Sequence, residues 1–402
     1  MNQLRDYIKF FFAVLFRKDY YYFKSFQKDL VIFDDFYPNP ISGFRMHEIN
    51  TYLKYFQNSK IILFHSLSEK PNSKLSISTH IAVAIEQHPF LKNKIIFQKG
   101  FINVHAKLFY FIFLNNAFSN IKVIQKFKTP FIFTLYPGGG LQLNNEISDN
   151  KIRTLMKSDY FRKVIVTQKI VFDYLLKNNF CQENQIEFIF GGVVPQQSIE
   201  NFNSQKNTFL KNKATFDICF CAAKYMPLGI DKGYNVFIEA ALELSKKYNF
   251  IRFHCIGGFD KNDVEVAALS NSISFYGYLN FEDLQSIFQN MDVILSPNKP
   301  FVLTKGSFDG FPLGTVIEAA CNQVVVLATD YLQENTIFED QVDFLKIEAS
   351  QESIVNAVEF LIQNPSKLYE IAESGQRKFK NAFSDKVQIN PRISILENQL
   401  KS

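Results

Sequence analysis

The sequence predicts an α/β protein of two Rossmann-like domains whose parallel sheets face a central cleft. Three observations predict it. Short β-branched and aromatic runs alternate with helical stretches along both halves, the pattern of βαβ units. Several strand-type runs end in glycine: Gly138-Gly139-Gly140 after Leu135, Gly191-Gly192 after Phe190, Gly257-Gly258 after Ile256. Such glycines allow a sharp turn or close approach of the backbone to a ligand. Residues 196–213 are rich in Gln, Asn, Ser and Lys and lack apolar periodicity, which reads as an interdomain linker. The expected organisation is a basic and aromatic extension over 1–29, a first Rossmann-like domain over 30–195, the linker over 196–213, a second such domain over 214–385, and a tail over 386–402. No sequence repeat relates the two halves.

The first half opens with residues 1–28, where aromatics mix with Arg5, Lys9, Arg17, Lys18, Lys24 and Lys28. Two readings stand: an interfacial helix resting on anionic lipid, or a helix docked on the protein through its Phe side chains. Leu30 to Phe33 reads as a strand ending in Asp34-Asp35. A loop with Pro38, Pro40 and Gly43 then leads to a helix from about Met46 to Phe56, the opening of a Rossmann-like unit without a GxGxxG fingerprint. Strands follow at Ile61 to Phe64 and Lys94 to Phe97, then Asn103-Val104-His105. Pro130 to Leu135 is a strand capped by Tyr136-Pro137-Gly138-Gly139-Gly140. Arg162 to Thr167 is another, with a helix over 169–178, and Ile186 to Phe190 runs into Gly191-Gly192-Val193-Val194-Pro195.

The second half restarts the pattern. Asp217 to Ala222 is a strand, 224–232 a loop, and Gly233 leads into a helix over 234–248. Strands follow at Phe250 to Gly257 and at Ile273 to Tyr276, the latter turning at Gly277-Tyr278. A helix over 282–290 and a strand over 292–296 precede the richest segment, and helices over 352–363 and 366–382 close the half.

With 402 residues, the chain can bury two full cores. Hydrophobic content of 47% and charged content of 21% describe a globular protein. The 45 Phe and absent Trp are assigned to coding bias, and no function is read from them. A net charge of +5 permits attraction to anionic lipid or nucleotide, but no basic patch or motif points to nucleic acid. The five cysteines are scattered, without CxxC or metal spacing. Cys219 and Cys221 alternate onto one strand face as core residues, and this usage suits a reducing cytoplasm. No apolar run reaches the roughly 18 residues of a spanning helix; Leu108 to Leu114 is a short apolar burst. Phe10 to Phe16 is followed by Arg17, Lys18 and tyrosines, not by a cleavage site, which argues against a secretory signal.

The richest segment is 308–330. Asp309-Gly310 signals a turn, and Gly314-Thr315 opens a short buried helix with Thr315 as N-cap. Val324 to Ala328 is a strand-type run. A carboxylate, free amides at a helix N-terminus and a second carboxylate at Glu318 suit a polyol diphosphate. The same residues also fit a capping box between Thr315 and Glu318, with Asp309 as a plain turn residue.

This segment resembles the donor-binding run of retaining GT-B glycosyltransferases of family four, the glycosyl transferases group 1. That run reads acidic-Gly-Phe-Gly/Pro, then Glu-Ala at the start of a helix; here it is Asp309-Gly310-Phe311-Pro312 and Glu318-Ala319. The first acid is Asp where Glu is commoner, and the two acids stand one residue further apart than usual, so the loop bulges or the register differs. Lys224 and Lys232-Gly233 match a basic residue and a Lys-Gly pair in the family, with Lys in place of Arg at the first. Gly191-Gly192-Val193 resembles the element that closes the family's first domain. Tyr136 stands where a His is common. The resemblance spans about 30–385 and is strongest over 217–330.

The resemblance implies a GT-B fold with an acceptor domain, then a donor domain, and a tail crossing back to the first. It implies transfer of a sugar from a nucleotide-sugar donor to a hydroxyl of a glycan or glycolipid acceptor, with retention and without a metal or other cofactor. Asp309 would accept from donor-sugar hydroxyls and Glu318 from ribose hydroxyls. Lys224 and Lys232 would neutralise the diphosphate as leaving group, each otherwise being a surface lysine. Gly310, Phe311, Pro312, Leu313, Gly314, Thr315, Gly257 and Tyr278 would line the donor site. Gly43, Arg45, His105, Tyr136, Gly138 and Gly139 would line the acceptor side, with Arg45 otherwise a surface residue and His105 otherwise structural. No general base is named, because in this group the departing phosphate is held to assist deprotonation. The implied setting is bacterial polysaccharide or glycolipid synthesis in the cytoplasm, at the inner membrane face. A nucleotide-sugar epimerase and an inactive GT-B partner protein are the rival readings; the missing glycine fingerprint disfavours an NAD-dependent oxidoreductase.

Overall fold

The structure, a computed structural model, describes residues 27–39, 42–64, 77–97, 104–200, 206–263 and 266–401. The expected helix in the N-terminal extension lies outside them. The first half contributes β1 (Gln27–Asp34), α1 (Gly43–Tyr55), β2 (Ser59–Leu63), α2 (Ile77–Gln87), β3 (Ile95–Phe97), β4 (His105–Ile112), α3 (Leu114–Ser119), α4 (Ile121–Phe127), β5 (Phe131–Leu135), α5 (Glu146–Met156), β6 (Phe161–Val166), α6 (Lys169–Lys177) and β7 (Ile186–Phe188). Its strands form one parallel sheet in the order β3-β2-β1-β4-β5-β6-β7.

The apolar burst at 108–114 becomes most of β4, which pairs with β1 through Leu30↔Leu108 to Phe33↔Phe111. Helices cover both faces of this strand, so Leu108 to Ile112 are all buried and no alternation shows in the sequence. The abundant phenylalanine also finds a physical use here. Phe33, Phe109, Phe111, Phe131, Phe133 and Phe161 form a ladder of rings across neighbouring strands, with Phe33 and Phe109 edge to face at 4.9 Å.

After α7 (Gln196–Glu200), the second half contributes β8 (Phe216–Ala222), α8 (Tyr234–Lys247), β9 (Ile251–Gly257), β10 (Ile273–Phe275), α9 (Phe281–Phe288), β11 (Val293–Ser296), α10 (Gly314–Cys321), β12 (Val325–Ala328), β13 (Leu345–Lys346), α11 (Gln351–Gln363), α12 (Pro365–Phe383) and α13 (Asp385–Lys401). Its parallel sheet runs β10-β9-β8-β11-β12-β13. The strand order reverses between β1 and β4 in one sheet and between β8 and β11 in the other. Doubly wound sheets bind ligands at the carboxyl ends of strands flanking such reversals. Part of the polar segment read as linker is anchored on this sheet: Phe209 is buried in its core, and Phe209 N donates to Asp292 Oδ1 at 2.9 Å.

Helix α13 leaves the second half and packs on the first sheet, where Ile389, Ile393 and Leu396 join the core of Leu30, Ile32 and Leu108. It brings the fully buried Arg392 to a polar cluster around Glu48 on α1. Glu48 accepts hydrogen bonds from the hydroxyls of Tyr52 at 3.1 Å, Tyr136 at 2.8 Å and Tyr110. Arg392 reaches the Tyr136 hydroxyl at 3.5 Å. Burial pushes the Tyr110 and Tyr136 phenols above their ordinary range, with Glu48 adding to the effect, so they stay protonated and donate. Arg392→Met would leave Glu48 buried without its counter-charge. The expected cost is about 3 kcal/mol or more of unfolding free energy in urea; a loss below about 1 kcal/mol, the worth of one ordinary hydrogen bond, would count against this account.

Candidate functional site

The reversal in the second sheet places the ends of β8 and β11 side by side, and the residues matching the motifs gather there. Lys232 ends a short helical turn after β8 and leads through Gly233 into α8. Gly233 has φ of +74°, and a Cβ there would lie 2.3 Å from the Pro297 carbonyl, so the glycine lets the two chain segments touch. Lys232 is buried and its ammonium forms an ion pair with Asp309 Oδ1. Asn298 Nδ2 donates to the other carboxylate oxygen at 2.7 Å, and the Tyr225 ring lies 5.0 Å beneath the ammonium. Lys224, in the loop that precedes this turn, is paired with Asp263. Both expected cations thus already hold a carboxylate.

Asp309 to Leu313 form an irregular loop, which accommodates the extra residue between the two acids. Phe311 turns inward and packs on Phe338 and Phe344, so its side chain anchors the loop. Pro312 is buried beside it, and Leu313 occupies the N-cap position of α10. Thr315 is therefore not the N-cap. It lies in the first turn, and its hydroxyl donates to the Cys221 carbonyl at 3.1 Å, tying α10 to the end of β8. The first α10 turn closes at Ile317 N to Leu313 O, leaving the amides of Gly314, Thr315 and Val316 ahead of the helical ladder. Gly314 is exposed with nothing within 4 Å of a Cβ position, so this N-terminus faces open space.

Glu318 points from α10 toward α9, where Gln285 Nε2 donates to it at 3.1 Å. The capping box is not formed. Burial pushes the Glu318 carboxyl up to about 7, against the pull of Gln285 and Ser198. Gly257, at the end of β9, has φ of +119° and lies so close to β8 that a Cβ would meet the Ala222 carbonyl at 1.9 Å. Strand approach alone requires that glycine. Tyr278 is exposed, with its hydroxyl over Gly258.

On the first domain, Gly43 abuts Pro195, and a Cβ there would stand 3.1 Å from its ring. Arg45 is neither a surface residue nor an open cation. It bonds Asp34 and Asp35, both at 2.9 Å, and lies against the Phe113 ring. Tyr136 is committed to Glu48 and so is structural at this position. His105 is displaced from the expected cleft: it begins β4, at the amino end of the sheet, and packs edge-on to Phe127. Gly138 and Gly139 lie in the loop after β5; Gly138 borders open space, and Gly139 is pressed against Phe113. The neighbouring Pro137 comes within 3.3 Å of a Cβ on Gly310, so this loop meets the Asp309 loop across the cleft.

Sequence reasoning passed over several residues of this constellation. Asp231 is buried beside Lys232, its Oδ1 lacks a hydrogen-bond partner, and burial raises its carboxyl, with Lys232 opposing and Asp309 reinforcing. Asn298 and Asp263 complete the two ion pairs. Gln168, at the end of β6, and Glu334, after β12, cross between domains. One signal was available for Gln168: it is a polar residue at the carboxyl end of a buried strand.

Residues 217–364 match the family model described as glycosyl transferases group 1. Among solved structures, a glycosyltransferase from Rickettsia africae shares 16% identity, covers 94% of this chain and 100% of its own, and superposes with a TM-score of 0.62. Anabaena HepE, in complex with UDP and glucose, shares 15% identity over 92% of this chain and 99% of its own, with a TM-score of 0.62. Sucrose-phosphate synthase from Thermosynechococcus elongatus shares 13% over 93% and 99%, with a TM-score of 0.57. No curated protein matches the sequence. The two facing parallel sheets and these superpositions define a GT-B fold. Over residues 217–364 its second domain is similar to the glycosyl transferases group 1.

The Glu318 environment yields a pH-dependent prediction. The carboxyl titrates near 4.5 when unfolded and about 7 when folded. Its burial therefore costs nothing below pH 4.5, and the cost grows to full size above 7. Glu318→Gln removes that cost. It should stabilise the chain at pH 8 by up to about 3 kcal/mol and leave stability at pH 4 nearly unchanged. Melting curves at both pH values check this, and equal shifts at the two would contradict it.

Proposed function

We propose that the chain transfers a sugar from a nucleoside-diphosphate donor to a hydroxyl of a glycan or glycolipid acceptor. One observation carries the reading: the Lys232–Asp309 pair lies beside the open N-terminus of α10, at the strand reversal of the second sheet. A diphosphate entering there meets the amides of Gly314 and Thr315, the positive end of the helix dipole and two lysines. Lys232 then shifts its charge from Asp309 to phosphate, and Asp309 is released to accept from a sugar hydroxyl. Glu318, one turn into α10, accepts from the ribose diol. Such preorganised charge lowers the barrier to departure of the diphosphate. Tyr278 offers an exposed ring to the base.

The family match over the donor half supports this reading, as does HepE, whose structures hold UDP, UDP with glucose, and UDP-glucose. Retention at the anomeric carbon and catalysis without a metal belong to the same proposal. In it Lys224, Lys232 and the α10 amides supply the charge stabilisation that a metal provides elsewhere, and the departing phosphate deprotonates the acceptor. A role in bacterial polysaccharide or glycolipid assembly at the inner membrane face completes the reading. No helix among the described residues is long and apolar enough to cross a membrane, and the lipid contact proposed is peripheral.

The first test is a thermal-shift panel of UDP, GDP, ADP and their sugars without added metal. A ligand at about one hundred times its dissociation constant should stabilise by roughly 2.7 kcal/mol. Lys232→Ala should abolish the shift. Asp309→Ala should keep nucleotide binding and lower turnover of the donor by about a hundredfold. No shift with any nucleotide, or full turnover in both variants, would sink the assignment.

A further inference from the structure

Helix α6 is capped by the other domain. Its N-cap residue, Gln168, has extended backbone angles, and its side chain makes no bond to its own helix. That side chain crosses the cleft. Phe311 N donates to Gln168 Oε1 at 3.0 Å, and Gln168 Nε2 donates to the Phe311 carbonyl at 3.3 Å. The position it leaves is filled from the second domain: Ile170 N donates to Glu334 Oε1 at 3.3 Å. The first turn of α6 contains no acid of its own, so Glu334 supplies the acceptor there and, when ionised, the negative charge that this N-terminus favours, although burial pushes its carboxyl up to about 7. Gln168 is 1% exposed and Glu334 2%.

Each partner is itself held in place. Asp330, just after β12, accepts from Glu334 N at 2.7 Å and Asn335 N at 3.2 Å, which fixes the turn bearing Glu334. Gly310 permits the approach, since a Cβ there would stand 3.0 Å from Gln168 Nε2. An amide that satisfies both the N–H and the C=O of one residue fixes the orientation of the flanking peptides, and Phe311 lies two residues from Asp309.

We infer that Gln168 and Glu334 are positioning residues: they latch the first domain onto the Asp309–Gly314 loop, so that closure of the cleft and the geometry of that loop are set together. The role of the loop rests on the proposed function; the latch rests on the contacts alone.

The test uses the full chain, with small-angle X-ray scattering and with UDP binding measured by calorimetry. Gln168→Met keeps side-chain length but loses both hydrogen bonds, and Glu334→Leu removes the cap. Each should show a larger radius of gyration than the wild type. Glu334→Gln still presents an oxygen to Ile170 N and should keep the wild-type radius. UDP affinity, set in the second domain, should stay within about threefold, under half of a tenfold step of 1.4 kcal/mol. A wild-type radius in both Gln168→Met and Glu334→Leu overturns the latch, and equal opening in Glu334→Gln and Glu334→Leu overturns the part assigned to Glu334. Should Gln168→Met fail to fold, Gly310→Ala, which crowds Gln168, must open the cleft in its place. If the wild type binds neither UDP, GDP nor ADP, the transferase reading fails, while scattering still decides the latch.

Discussion

Lys232 and Asp309 come from segments 77 residues apart, and their contact decides how the second domain is arranged around its cleft. An ammonium with little exposure is costly unless a carboxylate meets it. Asp309 meets it only if the loop after β11 folds back over the end of β8. Asn298, from that loop, holds the second carboxylate oxygen and is itself tied to Thr329 through its carbonyl at 2.6 Å. The ends of β8, β11 and β12 are thereby joined at the edge where α10 begins. The same pair that holds this edge is the one a diphosphate would separate.

The two domains are not joined by the covalent linker alone. Leu143 N donates to the Gly306 carbonyl at 2.9 Å, Gln142 reaches Thr304, and Phe308 enters the core of the first domain. Helix α13 returns to the first sheet and places Arg392 near Tyr136 and the Glu48 cluster. A tyrosine at the end of β5 thus serves the packing of the terminal helix. This accounts physically for a residue other than His at that strand end, since the hydroxyl is part of a buried network and is not presented to the cleft.

The β–α alternation was legible because each strand and helix carries its own local signal. The strand from Asp217, the helix from Tyr234 and the strand through Ser296 appear within a residue or two of where periodicity puts them. β4 was obscured because a strand covered on both faces loses alternation, and His105, expected beside the cleft, instead begins the strand. Thr315 followed a sound capping rule and was overruled by one tertiary acceptor, the Cys221 carbonyl. Arg45 could not be placed from sequence either, because the pairing of β1 with α1 brings Asp34 and Asp35 onto it.

Residue order alone determined the two parallel-sheet domains and the short helix carrying Glu318, since these follow from periodicity and backbone preference over a few residues; the turn expected at Asp309-Gly310 is instead part of an irregular loop. Tertiary structure decided which charges meet. Lys232 with Asp309, Lys224 with Asp263, and Gln168 with Phe311 are each set by where strand ends converge across a sheet reversal or a cleft, a distance that no local pattern encodes.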